Sequence, residues 1–376
     1  MDLRFLTAGE SHGAALTAIL EGIPAGLAVN LAEINKELRR RQMGYGRGGR
    51  MKIEQDEVKI LSGVRFGETI GSPITLEVVN RDHKNWGEKM AAFGEPKGEI
   101  ITNPRPGHAD LPGSQKYGRR DLRDILERSS ARETTMRVAV GAICRQFLAK
   151  IGVEISSRLI NLGGVQADKS SWDIPPESEL NCADPAAEAK MKERIDDAKA
   201  HGDTLGGTFE VKVTGLMPGL GSHIQWDRRL DARLAAAVMS VQAIKGVEIG
   251  LGNEAANLPG SEVHDEILLD DTGRIYRATN RAGGLEGGMT NGEEIILRAT
   301  MKPIPTLMRP LATVDLVTKQ KTSAAKERSD TSAVAAASVV GEAMTAIVVA
   351  EAVREKFGGD AMSDVLAAIA HYKARL

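Results

Sequence analysis

GETIGSPITL, at residues 67–76, is the most informative segment for predicting the fold, because its residue pattern occurs twice in the chain. The spacing Gly-x-Thr-x-Gly-x-x-Ile-x-Leu recurs as GMTNGEEIIL at residues 288–297. In each copy a glycine-containing turn precedes alternating apolar residues, which is typical of a turn that leads into a β-strand. The repetition predicts that two parts of the chain fold alike.

Further matches on both sides extend this repeat, in the same order in each copy. The matched pairs are 22–27 with 246–251, 128–130 with 328–330, and the Val-Gly pairs 140–141 with 340–341. We therefore predict one domain, residues 1–376, built from two pseudo-equivalent halves that share one core. The halves are expected at about 1–155 and 205–376.

Local patterns predict a mixture of helices and strands. Ser130-Ala-Arg-Glu133 has the spacing of a capping box and predicts a helix that begins near Ser130. Residues 84–118 show no period, and the polar residues 172–202 are expected to form an exposed excursion. Strands are predicted at 3–8, 56–62, 73–79, 207–215 and 293–301, a hairpin at 265–280, and further helices at 30–41, 228–245, 330–355 and 361–373.

Composition excludes several classes of protein. Lys and Arg number 49 and Asp and Glu 51, so the net charge is −2, and aromatic residues are only 3%. Neither value favours a nucleic-acid-binding protein. The N-terminal residues lack a basic region and a long apolar run, so they are not expected to form a signal peptide. Residues 331–350, with Glu342 in their middle, predict a buried helix rather than a membrane span. Cys144 and Cys182 form no CxxC motif, so a cytoplasmic location is expected.

Gly9-Glu-Ser11-His12-Gly13 fits the GxSxG motif of serine hydrolases. Against this function, the motif comes before any sheet exists to hold it, and the remaining histidines lie in no recognisable triad context. A serine hydrolase that uses Ser11 is kept as the alternative function. A glycine-flanked turn with a buried Ser-His pair is the structural interpretation of the same residues.

Two basic segments favour anion binding. GYGRGGR at 44–50 matches GxGxxG but lacks a βαβ context, so it predicts a mobile basic loop that closes on an anion, or simply a solvated loop. A nucleic-acid-binding module at 39–50 is a third hypothesis. Seven cations lie between Lys116 and Arg137, and a helix that opens at Ser129–Ser130 would add its N-terminal N–H groups. Ordinary helix capping explains the second segment equally well.

His108 and the segment KPIPT at 302–306 are further candidates. His108 lies in a Pro-Gly loop beside Arg105, where it could act as an acid near a bound anion. KPIPT lacks two backbone donors and could lie along a flat ligand. The sequence has no P-loop, no HExxH and no Cys/His cluster, so no metal is predicted.

Taken together, these motifs resemble those of the chorismate synthase family. The segments that carry the resemblance are 9–13, 43–51, 105–110, 118–137, 231–250, 302–306 and 328–330, in family order. The resemblance implies an α+β fold in which antiparallel β-sheets sandwich a helical layer. It also implies a cytoplasmic homotetramer that converts 5-enolpyruvylshikimate 3-phosphate to chorismate and phosphate with reduced FMN, with NADPH as an indirect reductant.

The resemblance also implies roles for individual residues. His12, His108 and Asp330 would be catalytic: His12 would protonate the departing phosphate, His108 would lie beside the flavin N1 and C2 carbonyl, and Asp330 would serve the N5 side. Arg41 and Arg47 match positions that the family assigns to NADPH. The expected substrate contacts are Arg41, Arg47, Arg50, Arg105 and Arg132. The expected FMN contacts are Arg128, Ser129, Ser130, Gln242, Ala243, Gly287, Lys302, Pro303, Ile304, Pro305, Thr306 and Arg328.

Overall fold

A computed structural model describes residues 3–49 and 53–376 of the chain. Its helices are α1 (Leu31–Gln42), α2 (Asp110–Tyr117), α3 (Arg123–Ser129), α4 (Thr134–Ala149), α5 (Pro185–Ala200), α6 (Leu230–Met239), α7 (Gly260–Val263), α8 (Val334–Phe357) and α9 (Met362–Lys373). Its strands are β1 (Arg4–Ala8), β2 (Ala15–Glu21), β3 (Lys59–Ile60), β4 (Val64–Arg65), β5 (Glu68–Thr69), β6 (Ile74–Val79), β7 (Glu154–Leu162), β8 (Val165–Gln166), β9 (Gly207–Thr214), β10 (Ile244–Ile249), β11 (Ile267–Leu269), β12 (Ile275–Arg277), β13 (Leu285–Glu286), β14 (Met289–Thr290), β15 (Ile295–Met301), β16 (Ala312–Val314) and β17 (Lys321–Ser323).

Two antiparallel sheets lie on either side of a helical layer that contains α4 and α8, as the resemblance implies. The first has strand order β1-β2-β6-β3 and the second β10-β15-β9-β7-β8. Helix α4 packs on the first sheet, α8 packs on the second, and the two helices pack on each other. Alternating burial in β6 and β15 turns the apolar residues of each strand toward these helices. The fold is therefore α+β, with the helical layer between the sheets.

Elements of the two sheets follow one another in the same order. The first sheet uses β1, β2, α1, β3, β6 and α4, and the second uses β7, β9, α6, β10, β15 and α8. In the first sheet β2 pairs with β1 and β6, and β6 also pairs with β3. In the second sheet β9 pairs with β7 and β15, and β15 also pairs with β10. This order supports two pseudo-equivalent halves. The second of these two groups of elements begins with β7 at Glu154, well before residue 205, where the second half was expected to begin.

Thr69, in the first copy of the repeated pattern, makes two hydrogen bonds to the segment 22–27. Its hydroxyl donates to the carbonyl of Pro24 (2.6 Å) and accepts from the backbone N–H of Leu27 (2.9 Å). The strand β5 that carries Thr69 is thereby fixed to the chain that leaves β2. The threonine of the repeated pattern is buried because both of its hydrogen-bonding roles are satisfied.

Thr290, in the second copy, makes the same pair of bonds with a different segment from the one expected. Its hydroxyl donates to the carbonyl of Met217 (2.7 Å) and accepts from the N–H of Leu220 (2.9 Å). The structural equivalent of 22–27 is therefore 215–220. The predicted match with 246–251 is wrong, because most of that segment lies in β10 and pairs with β15.

The Val-Gly pairs lie at close contacts of the helical layer. A Cβ at Gly141 would lie 2.5 Å from Cβ of Ala343, and a Cβ at Gly341 would lie 2.6 Å from the ring of Phe209. Glycine therefore lets α4 approach α8, and α8 approach the second sheet. Helix α8 is long and apolar enough to cross a membrane, but 89% of its apolar window is buried inside the protein, as expected of a core helix.

Three local predictions differ from the structure. The segment 172–202 contains α5, which begins at Pro185 after an Asp184 N-cap and buries Met191 and Ile195. The period-free segment 84–118 contains α2. The predicted helix 228–245 ends at Met239, after which the chain enters β10.

Candidate active site

Residues from many parts of the chain, between Ser11 and Val340, line one cavity of about 530 Å³. Its wall includes the β1–β2 connection, the loop after α1, the junction of α3 and α4, the segment after α6, the segment after β15 and the first turns of α8. Sixteen of the residues predicted from the sequence lie on this wall: His12, Arg41, Arg47, Arg105, His108, Ser129, Ser130, Arg132, Gln242, Ala243, Lys302, Ile304, Pro305, Thr306, Arg328 and Asp330.

His12 lies in the turn between β1 and β2, and several contacts hold it. Its Nδ1 is 2.9 Å from Oε1 of Glu127, and its backbone N–H donates to Oε2 of the same carboxylate (2.7 Å). Its ring stacks on Trp86, with centroids 4.0 Å apart. Burial alone would raise the pKa of Glu127, but hydrogen bonds from His12 and Arg123 hold that pKa below its ordinary value.

Ser11 does not lie in the context of a hydrolase nucleophile. A nucleophile elbow connects a strand to a helix, whereas residues 9–13 connect two antiparallel strands. The backbone N–H of Ser11 donates to the carbonyl of Glu127 (3.0 Å). The motif at 9–13 is thus the turn of a β-hairpin, which disfavours the alternative function.

His108 and Arg105 share one carboxylate, that of Asp110. Nδ1 of His108 lies 2.6 Å from Oδ1 of Asp110, and Nε of Arg105 donates to Oδ2 (2.8 Å). Nη1 of Arg105 donates to the hydroxyl of Thr306 (2.9 Å), which joins this loop to KPIPT. Burial opposes ionisation of Asp110, but the bonds from His108 and Arg105 hold its pKa well below the ordinary value.

Arg41 and Arg132 lie side by side at a buried carboxylate, that of Asp56. Nη1 of Arg132 lies 2.6 Å from Oδ1 of Asp56, and Nη1 of Arg41 lies 3.5 Å from Oδ2. Burial, with Arg132 and Arg47 nearby, lowers the pKa of Arg41 to about 10 in spite of Asp56. Arg41 therefore stays cationic at neutral pH, and both guanidinium groups lie beside the carboxylate of Asp56 at the cavity wall.

Asp330 connects the loop after α1 to the start of α8. Its Oδ1 accepts from the backbone N–H of Gly48 (2.6 Å), and its Oδ2 lies 2.7 Å from Nη1 of Arg47. A Cβ at Gly46 would lie 2.7 Å from Cγ2 of Ile195 in α5, so this position requires glycine. The loop thus rests on α5 and on the segment that precedes α8. Its mobility without ligands stays a prediction, and Arg50 lies outside the described residues.

The cations of segment 39–49 mostly face inward, which disfavours a nucleic-acid-binding module. Arg40 bonds to Glu342 (2.8 Å), Arg41 is only 4% exposed, and the Arg47 side chain is 11% exposed. A surface that neutralises phosphates needs its cations exposed.

The junction at Ser129–Ser130 differs from the predicted helix start. Ser129 ends α3, and the Ser130 hydroxyl accepts from the N–H of Arg132 (3.3 Å) at a short 3₁₀ turn. Helix α4 begins only at Thr134. Glu133 makes no capping box, because its carboxylate bonds to Arg137 (3.0 Å). The predicted anion site at one helix N-terminus is therefore a turn between two helices.

Three predicted FMN contacts do not line the cavity formed by the described residues. Arg128 donates to the carbonyls of Thr7 (2.8 Å) and Gly9 (3.2 Å), at a neighbouring cleft. Gly287 lies in the turn between β13 and β14, and Pro303 lies between two lining residues. These three stay predictions from the resemblance.

Sequence reasoning missed the carboxylates that hold the site together. Glu127, Asp110 and Asp56 are each at most 3% exposed and bond to His12, His108 and Arg132 respectively. Only Asp110 lay near its partner in sequence, within the segment 105–110. Among the described residues no group of His, Cys, Asp and Glu could hold a metal ion.

Comparison with known proteins decides the family. The family model described as chorismate synthase matches residues 3–353. The chain belongs to the chorismate synthase family. A chorismate synthase of Geobacter metallireducens is 59% identical, with 96% of each chain covered. One of Thermus thermophilus is 55% identical, with 100% of this chain and 99% of the relative covered. A crystal structure of a chorismate synthase matches with a TM-score of 0.78 at 46% identity, covering 99% of this chain and 97% of that one.

Membership has direct consequences. The chain is an enzyme of the family, and the solved chorismate synthase supports its α+β fold. The sequence resemblance is confirmed over nearly the whole chain.

Proposed function

We propose that the protein eliminates phosphate from 5-enolpyruvylshikimate 3-phosphate by anti-1,4-elimination, giving chorismate with reduced FMN as cofactor. One observation carries the proposal beyond family membership: five arginines line one cavity of a chain whose net charge is −2, and four of them are proposed substrate contacts. The substrate has two carboxylates and a phosphate, which such a cluster binds. These four arginines are Arg41, Arg47, Arg105 and Arg132, and Arg50 is the fifth proposed contact.

The cavity wall suits a flavin. Oε1 of Gln242 is buried with no hydrogen-bond partner among the described residues, and it can accept from a ring N–H of a ligand. Ser129 and Ser130 offer hydroxyls, and Ile304 with Pro305 offers an apolar surface. When bound, reduced FMN supplies electron chemistry that amino-acid side chains lack. The proposed FMN contacts are those named from the resemblance, of which Arg128, Gly287 and Pro303 lie outside the described cavity wall. NADPH is proposed as an indirect reductant.

Three side chains carry the proposed acid–base work. His12 gives a proton to the departing phosphate, and the cavity arginines stabilise its charge. His108 faces the same cavity from a loop fixed by Asp110, and it serves the N1 and C2-carbonyl side of the flavin. Asp330 serves the N5 side. Its ion pair with Arg47 couples it to an arginine that is proposed to contact substrate.

Anaerobic turnover tests the function. The protein is mixed with the phosphorylated substrate and dithionite-reduced FMN, and chorismate is followed by its absorbance. We expect product with reduced FMN and none with oxidised FMN or with dithionite alone. Equal rates without flavin would contradict the proposal. Inactivation by a covalent serine reagent at Ser11, with hydrolysis that ignores flavin, would favour the hydrolase instead.

We also propose that the enzyme is a cytoplasmic homotetramer that binds neither nucleic acid nor membranes. Sedimentation should give four times the chain mass of 40.2 kDa. A monomer at micromolar concentration would contradict the proposed assembly.

A further inference from the structure

We infer that Glu127 is a positioning residue, which fixes the ring of His12 with its proton on Nδ1 and so presents Nε2 to the cavity. Its catalytic consequence depends on the proposed function, whereas the ring geometry does not. Glu127 is 3% exposed and lies 115 residues from His12 in sequence. No other described carboxylate bonds to His12.

Hydrogen bonds and one stacking contact hold the imidazole ring of His12 in place. Oε1 of Glu127 holds Nδ1 at 2.9 Å, Oε2 holds the backbone N–H of His12 at 2.7 Å, and Trp86 stacks on the ring. The backbone carbonyl of Glu127 accepts from Ser11 (3.0 Å). One residue thus holds both the turn and the side chain that the turn carries, which leaves the imidazole little freedom to rotate.

The chemistry of the carboxylate decides the tautomer. An ionised carboxylate only accepts hydrogen bonds, so Nδ1 must be the donor. Arg123 keeps Glu127 ionised by donating to Oε1 from Nη1 (2.9 Å). In the proposed reaction, the imidazolium of His12 gives the proton on Nε2 to a phosphate oxygen, and the C–O electron pair leaves with the phosphate. The hydrogen that is eliminated from the substrate ring is released as a proton, so that its C–H electron pair supplies the new double bond. A neutral imidazole with its proton on Nδ1 remains. The carboxylate therefore stabilises the ring before and after the transfer.

An amide in place of the carboxylate cannot satisfy the same donors. Oε1 accepts from Nδ1 and Arg123, and Oε2 accepts from the backbone N–H of His12. Glutamine has one acceptor oxygen and one amino group. In one orientation its amino group faces the backbone N–H. In the other it faces Arg123 and Nδ1, and Nδ1 must then accept, which moves the ring proton to Nε2.

Nitrogen-15 spectra of histidine-labelled enzyme test the tautomer without flavin or substrate. The signal of His12 is identified by its absence in His12→Asn, and the pH is set so that the ring is neutral. We expect a protonated Nδ1 and an unprotonated Nε2 in the wild type. In Glu127→Gln we expect a share of the form with its proton on Nε2, because one of the two amide orientations requires it. A wild-type His12 with its proton on Nε2 would overturn the inference, and this measurement stands even if Glu127→Gln fails to fold.

A double-mutant cycle tests the catalytic consequence. Glu127→Gln should lower kcat about tenfold or more, with the 10²–10⁴ that a general acid contributes as the upper bound. If Glu127 acts through His12, His12→Asn/Glu127→Gln should be no slower than His12→Asn alone. Multiplying effects would overturn the inference.

A matched control separates positioning from loss of a buried carboxylate. Glu210 is 2% exposed and pairs with Arg158 (2.7 Å) and Arg298 (3.1 Å) in the second sheet, away from the cavity. Glu210→Gln should keep the His12 signals and the wild-type kcat. If the wild type itself does not turn over the substrate, the proposed function fails, and the spectra still decide the role of Glu127.

Discussion

Replacing Asp56 by asparagine should show how much this buried carboxylate, which lies beside Arg41 and Arg132, contributes to the free energy of unfolding. Nη1 of Arg132 lies 2.6 Å and 2.7 Å from the two oxygens of Asp56, and Nη1 of Arg41 lies 3.5 Å from one of them. The side chains of Arg132 and Asp56 are 2% and 0% exposed. Asparagine keeps the shape of the side chain but removes the charge that both guanidinium groups share.

The expected cost follows from burial. Removing one partner of a buried ion pair typically destabilises a protein by about 3–5 kcal/mol. A charge pair at 4 Å with an effective dielectric constant of about 20 is worth about 4 kcal/mol, which agrees. Glu54 remains, with Oε2 3.6 Å from Nη2 of Arg132. We therefore expect Asp56→Asn to lower the free energy of unfolding by about 3 kcal/mol, at the lower end of the range for a buried ion pair.

Urea denaturation at fixed protein concentration measures this change, because an oligomer's stability depends on concentration. Asp124→Asn is the control: it removes a carboxylate from an exposed pair with Arg119, with the two side chains 40% and 60% exposed. It should cost about 0–1 kcal/mol. Inorganic phosphate should stabilise Asp56→Asn more than wild type, because an anion can replace the lost charge. A cost below about 1 kcal/mol for Asp56→Asn would refute the reasoning.

Three further predictions concern the catalytic residues, the loop and acid stability. His12→Ala and His108→Ala should each lower kcat by about 10²–10⁴-fold while FMN still binds, as measured by flavin fluorescence titration. Protease should cut the loop 43–51 faster in free enzyme than with FMN and substrate bound; equal protection would count against closure. Because the pKa of Asp110 is held below its ordinary value of 3.8, its contribution to stability is present above that value and lost as the pH falls below it. Asp110→Asn should therefore flatten the acid side of the stability profile measured by urea denaturation, and an unchanged slope would contradict this.

The repeated pattern predicted much of the fold, because both of its copies contain a threonine whose hydroxyl makes the same pair of hydrogen bonds. Thr69 and Thr290 recur at one spacing since each threonine ties its hairpin to a neighbouring segment. The partner segments themselves were harder to find. A short Gly and Leu pattern occurs by chance in a chain with 40 glycines, which explains the wrong match at 246–251.

Side chains of the candidate site were predicted more completely than their partners. Histidines and arginines stood out in their motifs, whereas Glu127 and Asp56 carry no local signal. Their role arises only when the fold brings them within hydrogen-bonding distance of His12 and Arg132, whose positions are 115 and 76 residues away. The start of α4 was misjudged for a related reason, because the Ser130 hydroxyl caps a short 3₁₀ turn before the helix begins.

The stoichiometry of one anaerobic reaction tests whether the protein catalyses the proposed elimination. The enzyme, a limiting amount of reduced FMN and an excess of phosphorylated substrate are mixed, and chorismate, inorganic phosphate and the flavin spectrum are recorded together. An elimination without net redox change predicts equal amounts of chorismate and phosphate, many turnovers per flavin, and a flavin that is still reduced at the end. Phosphate release without chorismate, or oxidation of one flavin for each product, would contradict the account.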